Sequence, residues 1–184
     1  IASRYCCWAV RHVVHSRLHR KYALKRKLDR TGSQHLESTR MPCLVADIGG
    51  TNSRFAIAGD RPGDIGVPIF LKNDEFNCFE DVFGAALEQL ETPISASVIA
   101  VAGPLFGREA TLTNRGWDIR PTALSKIAAG VPVHLINDFS AQARALPYLN
   151  ATALDTIAHG RDDAEGHKLV LGPGTGLGVG FLIN

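Results

Sequence analysis

From Cys43 onward the apolar positions fall into two rhythms, and the alternation between them lays out the elements. Cys43-Leu-Val-Ala-Asp-Ile48 is a short, nearly continuous apolar run, the pattern of a strand buried on both faces. Gly49-Gly50 breaks it, and Arg54-Phe-Ala-Ile-Ala58 follows, so the two runs read as a hairpin turning at Gly-Gly-Thr-Asn. A third strand fits Val67–Leu71. The rhythm then changes: Phe76, Phe79, Val82, Phe83, Ala86, Leu87 and Leu90 recur at three- and four-residue steps. That spacing predicts a helix over about 75–91, with Asn73 or Asp74 as its cap.

Strand-like runs return at Ser97-Val-Ile-Ala-Val-Ala102, closed by Gly103-Pro104, and more briefly near Glu109–Thr113. Pro121 and Gly130 bracket a second helix. Val131–Ile136 is again a buried-strand run, entering Asn137-Asp138 and a third helix that carries Phe139, Ala143 and Leu146 and stops at Pro147. The order β-β-β-α-β-α-β-α predicts a mixed sheet with flanking helices. Lys168-Leu-Val-Leu171 opens another strand, followed by Gly172-Pro-Gly-Thr-Gly-Leu-Gly-Val-Gly180 and a second hairpin arm. An unpaired strand at a chain end lacks backbone partners, so the reading expects a truncated second domain.

Composition changes this picture in one place. The chain has 184 residues, 45% hydrophobic and 21% charged, enough for one full domain or one and part of another. The net charge of +2 averages two unlike pieces. Residues 1–40 carry ten bases against two acids, a net +8, while residues 41–184 carry ten bases against 16 acids, a net −6. The acidic body gives no support to nucleic-acid binding. The basic head reads as sequence upstream of a start at Met41, as a transit peptide, or as a basic arm; it takes no part in the chemistry below. No apolar run approaches the roughly 18 residues of a helical membrane span. Cys6, Cys7, Cys43 and Cys78 have no CxxC spacing, so neither a zinc ribbon nor a disulfide framework is indicated, and a reducing compartment is expected.

The candidate chemistry lies in two glycine-rich turns between apolar strands, Asp47-Ile-Gly-Gly-Thr-Asn52 and Gly172-Pro-Gly-Thr-Gly176. Such turns let backbone N–H groups converge into an anion-binding concavity, and a matched pair can grip a triphosphate from two sides. Other nucleotide signatures fail. No glycine has another five positions on, which excludes a Walker A loop, and the third position of a dinucleotide fingerprint starting at Gly172 is Leu177. Asp138, between a strand's C-terminal end and a helix, is placed either to accept a proton from a substrate hydroxyl or to cap the helix. Asp47 is placed to hold Mg²⁺ through water or to start a turn. Asn114 and Asn137 are candidates for sugar hydroxyls, and Trp117 reads as core.

Four motifs, in order, then resemble the bacterial glucokinase family of the hexokinase/actin-like ATPase superfamily. They are Asp47-Ile-Gly-Gly-Thr-Asn-Ser-Arg54; Val101-Ala-Gly-Pro104 with Thr113-Asn-Arg-Gly-Trp117; Ile136-Asn-Asp-Phe139 with Ala145-Leu-Pro147; and Leu171-Gly-Pro-Gly-Thr-Gly-Leu-Gly178. The resemblance implies an α/β actin-like ATPase (ribonuclease H-like) fold, with an N-terminal kinase domain over 41–150 and the crossover and first hairpin of a second domain over 151–184. It implies ATP- and Mg²⁺-dependent phosphorylation of D-glucose at its 6-hydroxyl in the cytoplasm, by a homodimer when full length, with no nucleic-acid or membrane partner. Asp138 would be the general base, with Asn137 and Asn114 on the sugar. Ala46, Asp47, Ile48, Gly49, Gly50 and Thr51 would meet the ATP phosphates, with Gly174, Thr175 and Gly176 closing from the second domain. The family's Glu-Gly-Gly-His segment and a later glutamate would lie beyond Asn184, so the 184-residue chain is expected to be inactive alone. Two other readings stay open: a sugar-sensing repressor of the related repressor–kinase type, and a kinase of another hexose.

Overall fold

A computed structural model describes residues 42–183, apart from 60, 62, 150, 162, 164 and 174–176. The basic head, Met41, and the turn Gly174-Thr175-Gly176 lie outside the described residues. The chain opens with β1 (Cys43–Ile48) and β2 (Asn52–Ala58), an antiparallel hairpin, and β3 (Ile69–Lys72) pairs with β2. Helix α1 (Phe79–Glu88) leads to β4 (Ala96–Val101), which runs parallel to β1. Three short strands follow, β5 (Leu105–Phe106), β6 (Glu109–Leu112) and β7 (Trp117–Ile119), forming an antiparallel sheet of their own. Helix α2 (Pro121–Ile127) precedes β8 (Val133–Asn137), which is parallel to β4 and passes directly into α3 (Asp138–Ala145). The main sheet has the order β3-β2-β1-β4-β8, a mixed sheet as expected. The last pair, β9 (Lys168–Pro173) and β10 (Leu177–Leu182), is a separate two-stranded sheet packed on α3.

Strands β1 and β4 are apolar almost throughout because both faces of the sheet are covered. Period-two alternation divides their side chains between two cores. Leu44, Ala46, Ile48, Ile99 and Val101 face α1, α2 and the small sheet, where Phe55, Phe79 and Phe83 meet with ring centroids 6.4 Å apart and Trp117 adds a fourth ring 6.5 Å from Phe79. Cys43, Val45, Val98 and Ala100 face the other way, with Ala141 of α3. This second core is built largely of small residues, which lets α3 lie close to the sheet.

Several boundaries differ from the sequence reading. β3 begins at Ile69 rather than Val67, because Pro68 has no N–H for the ladder and Val67 is exposed. α1 begins at Phe79, and residues 73–75 form a 3₁₀ turn. Neither Asn73 nor Asp74 caps α1; Cys78 holds that position without a side-chain bond, and Asn73 is fully buried with its amide engaged elsewhere. β8 starts at Val133, after Pro132. Strands β5 and β7 have two and three residues, too few for an alternation to register in the sequence. Among the described residues no helix is long and apolar enough to cross a membrane.

Phe79→Ala, which empties the middle of the aromatic cluster, should lower the unfolding free energy by about 3–5 kcal/mol. Phe106→Ala, at a position 70% exposed, should change it by less than about 0.5 kcal/mol. Urea denaturation followed by circular dichroism reads both, and equal effects would mean that the cluster is not the core.

Candidate functional site

The turn between β1 and β2 is held from behind. The carbonyl oxygen of Gly49 accepts from Asn73 Nδ2 at 2.8 Å, that of Gly50 from the same amide at 3.3 Å, and that of Thr51 from the Asn73 backbone N–H at 2.9 Å. Ser53 Oγ donates to Asn73 Oδ1 at 2.7 Å, so this buried amide is oriented as well as placed. Arg115 adds a second hold: its Nε donates to the Gly50 carbonyl, one terminal nitrogen pairs with Asp74, and its guanidinium stacks over Trp117 at 5.2 Å. With the carbonyls taken on the inner side, the N–H groups of Gly50 and Thr51 have no acceptor among the described residues. Two adjacent amides without acceptors on a glycine turn form an anion-binding concavity. They open on a cleft of about 460 Å³ lined by Gly50, Thr51, Asp74, Asn114, Arg115 and Trp117.

Asp138 directly follows the C-terminal end of β8, the end of a parallel strand at which ligands collect in open α/β sheets. Its Oδ1 accepts from the Phe139 backbone N–H and from Asn137 Nδ2, both at 2.9 Å. The cap of α3 is Asn137, whose Oδ1 accepts from Ser140 N at 3.1 Å, so Asp138 is the first helical residue instead of a plain cap. Burial pushes the Asp138 carboxyl above its usual pKa, the Phe139 N–H pulls it back, and the negative charge of Asp47 raises it further. The alternation of β1 explains that neighbour: Asp47 lies on the same face of the strand as Val45, the face α3 covers. At that level of the sheet β4 contributes Ala100, paired with Asp47 on one side and with Ile136 on the other. Arg54 balances Asp47 with a 3.0 Å ion pair to Oδ2.

The sequence-predicted residues therefore fall into separate groups. Gly49, Gly50 and Thr51 form the turn, and Asn114 lies against Gly50. Asp47, Asn137 and Asp138 gather at the ends of β1 and β8. Ala46 and Ile48 are buried in the core with their backbone committed to β2 and β4. Both protons of the Asn137 amide are used, on the Gly103 carbonyl at 3.2 Å and on Asp138. Gly174, Thr175 and Gly176 lie outside the described residues. Sequence reasoning missed Asn73, Ser53 and Arg115. Arg115 stood inside the quoted Thr113–Trp117 motif, and its adjacency to a tryptophan was the available signal.

The family model described as Glucokinase matches residues 44–184. The glucokinase of Mesorhizobium japonicum is 37% identical over 147 residues, covering 79% of this chain and 43% of that protein. The crystal structure of glucokinase from an Antarctic psychrotroph superposes with a TM-score of 0.69 at 32% identity, over 77% of this chain and 46% of that one. A ROK family glucokinase from Streptomyces griseus, solved in complex with glucose and AMPPNP, shares the fold with a TM-score of 0.52 at 23% identity, over 77% of this chain and 44% of that one. The chain thus spans less than half the length of each of these three relatives, and its sheet and helices have the actin-like ATPase arrangement of these sugar kinases. With the family match running unbroken from Leu44 to Asn184 across the β1–β2 turn, Asp138 and the β9–β10 hairpin, the chain belongs to the glucokinase family.

Proposed function

We propose that the protein containing this chain transfers the γ-phosphoryl group of ATP to the 6-hydroxyl of D-glucose. The observation that carries the reading is a half-buried carboxylate at the C-terminal end of β8, with its pKa raised, on the same sheet edge as a turn presenting two N–H groups without acceptors among the described residues. The named relatives are glucokinases, and a neighbour of the same fold holds glucose and an ATP analogue, which supports the choice of substrates.

In this reading the glucose 6-oxygen attacks the γ-phosphorus as the bond to the ADP oxygen breaks, and the hydroxyl proton passes to Asp138. The Phe139 N–H and the Asn137 amide keep Asp138 Oδ1 in place, so little reorganisation is left for the reactive geometry. Gly50 and Thr51 donate to phosphate oxygens, and Asn73 and Arg115 hold the carbonyls behind them. Gly174-Thr175-Gly176 close on the phosphates from the β9–β10 hairpin. Asn114 serves sugar hydroxyls from the cleft wall, while Asn137 has only a lone pair of Oδ1 left to offer them.

Among the described residues no group of three or more His, Cys, Asp or Glu is placed to hold a metal ion. Asp47 has one oxygen committed to Arg54. These side chains fit a Mg²⁺ held through water beside the phosphates, not an all-protein cage. When bound, the ion supplies neutralisation of phosphate charge.

In the complete gene product, Asp138→Asn should lower kcat for glucose phosphorylation by about 10²–10⁴-fold, with glucose affinity little changed by calorimetric titration. A variant retaining most of its turnover would remove Asp138 as the base.

The raised pKa of Asp138 predicts a pH profile. The base works deprotonated, so kcat/KM should fall with acid in a limb lying above the ordinary aspartate value of about 3.9. Because the folded state binds this proton more tightly than the unfolded state, stability from this group declines as pH rises through its folded pKa. Asp138→Asn should therefore melt no lower than the parent at pH 7; a lower melting temperature would contradict the burial cost.

Arg115→Met releases the turn and should raise the KM for ATP by about tenfold with the KM for glucose unchanged, since only the phosphate-side geometry is disturbed. Asp74→Asn removes an exposed ion-pair partner and should shift the KM for ATP by less than about twofold. Equal effects of the two variants would show that the ion pair, and not the bond to the Gly50 carbonyl, matters.

A further inference from the structure

The β9–β10 hairpin turns its glycine face to one residue. Gly172 and Gly178 stand opposite each other in the ladder, and Gly180 follows on the same face of β10. A Cβ at Gly172 would come within 2.4 Å of Phe139 Cζ, and one at Gly178 within 1.9 Å of Phe139 Cε2. A Cβ at Gly180 would come within 2.4 Å of the Phe139 carbonyl oxygen. Real side-chain carbons cannot approach so closely, so three glycines together make a recess for Phe139: two for the ring and one for its backbone. Glycines in strands weaken them, and three on one face need a packing reason, which the seated ring supplies.

The same residue serves the acid beside it, since the Phe139 N–H donates to Asp138 Oδ1 at 2.9 Å. Phe139 thus touches the carboxylate with its main chain and the hairpin with its side chain. We propose that Phe139 is a positioning residue that sets strands β9 and β10 in register with Asp138. The inference rests on the phosphoryl-transfer reading above, in which that hairpin carries one half of the phosphate grip. It also divides the glycines of Gly172–Gly180 by role: 172, 178 and 180 seat the hairpin and are not part of an anion site. In-line transfer is sensitive to displacements of about 1 Å between base and phosphate, so a shifted hairpin should cost activity without any loss of a contacting group.

The test uses the complete gene product with Gly178→Ala, Phe139→Ala, their combination, and Phe139→Leu as a milder variant. Gly178→Ala forces the ring out and should raise the KM for ATP by about tenfold or more, with glucose affinity within about twofold. Phe139→Ala should do the same, and Phe139→Leu should fall between it and the parent. The double variant makes room for the new methyl, so its effect should not exceed that of the worse single variant, whereas independent sites would multiply. Multiplying effects, or a matching loss of glucose affinity, would overturn the proposal.

Amide hydrogen exchange separates this from the broader reading. Phe139→Ala should speed exchange in β9 and β10 while β1 and β4 keep their protection. If the parent fails to phosphorylate glucose but this exchange pattern holds, the functional reading falls and the seat stands; unchanged exchange in the hairpin overturns the seat whatever the activity.

Discussion

A strand such as β4, with all six side chains buried, can satisfy its backbone only by pairing along both edges. It does so with β1 on one side and β8 on the other, both parallel to it. Parallel neighbours cannot be joined by a tight turn, so the connecting chain must cross over a face of the sheet. One crossover supplies α1, and the next supplies the small antiparallel sheet and α2. The C-terminal ends of β1, β4 and β8 then come out along one edge, and every polar group of the candidate site depends on that edge.

Alternation along β1 decides which groups meet there. The face bearing Leu44, Ala46 and Ile48 packs against large aromatic rings and admits nothing polar. The opposite face is lined by Val45, Ala100 and Ala141, and it ends at Asp47. Two carboxylates, Asp47 and Asp138, therefore share one side of the sheet. Arg54 offsets one of them, while burial and the residual repulsion fall on the other. A carboxylate kept partly out of water beside a second one is destabilising for the fold and useful for accepting a proton.

Polar side chains elsewhere in the site act mainly on the backbone. The Asn73 amide and the Arg115 Nε donate to carbonyls of the β1–β2 turn, and Asn137 spends its amide on Gly103 and Asp138. The β9–β10 hairpin follows a comparable division between its faces. Its inner face is reduced to glycine around Phe139, while Leu169, Leu171, Leu177, Val179 and Phe181 on the outer face are exposed. A contiguous apolar face of this kind is characteristic of surfaces that other polypeptide covers.

The sequence by itself determined the longer strands and helices, the mixed sheet, the two glycine hairpins and the location of Asp138 at a strand–helix junction. Each of these leaves a local trace: a period of two or of three to four, a glycine break, a proline at a helix start. It placed Asn73 as a helix cap and read Asp138 as a possible one, because a lone polar residue beside a helix has the same local signature whichever way its side chain turns. Only the tertiary structure decided that Asn73 holds a turn 24 residues earlier, that Arg115 reaches back 65 residues to Gly50, and that three glycines of the second hairpin answer to Phe139. Contacts at such separations follow from how strands stack and helices cross over. They have no period along the chain, and the side chains that make them carry no mark of their partner.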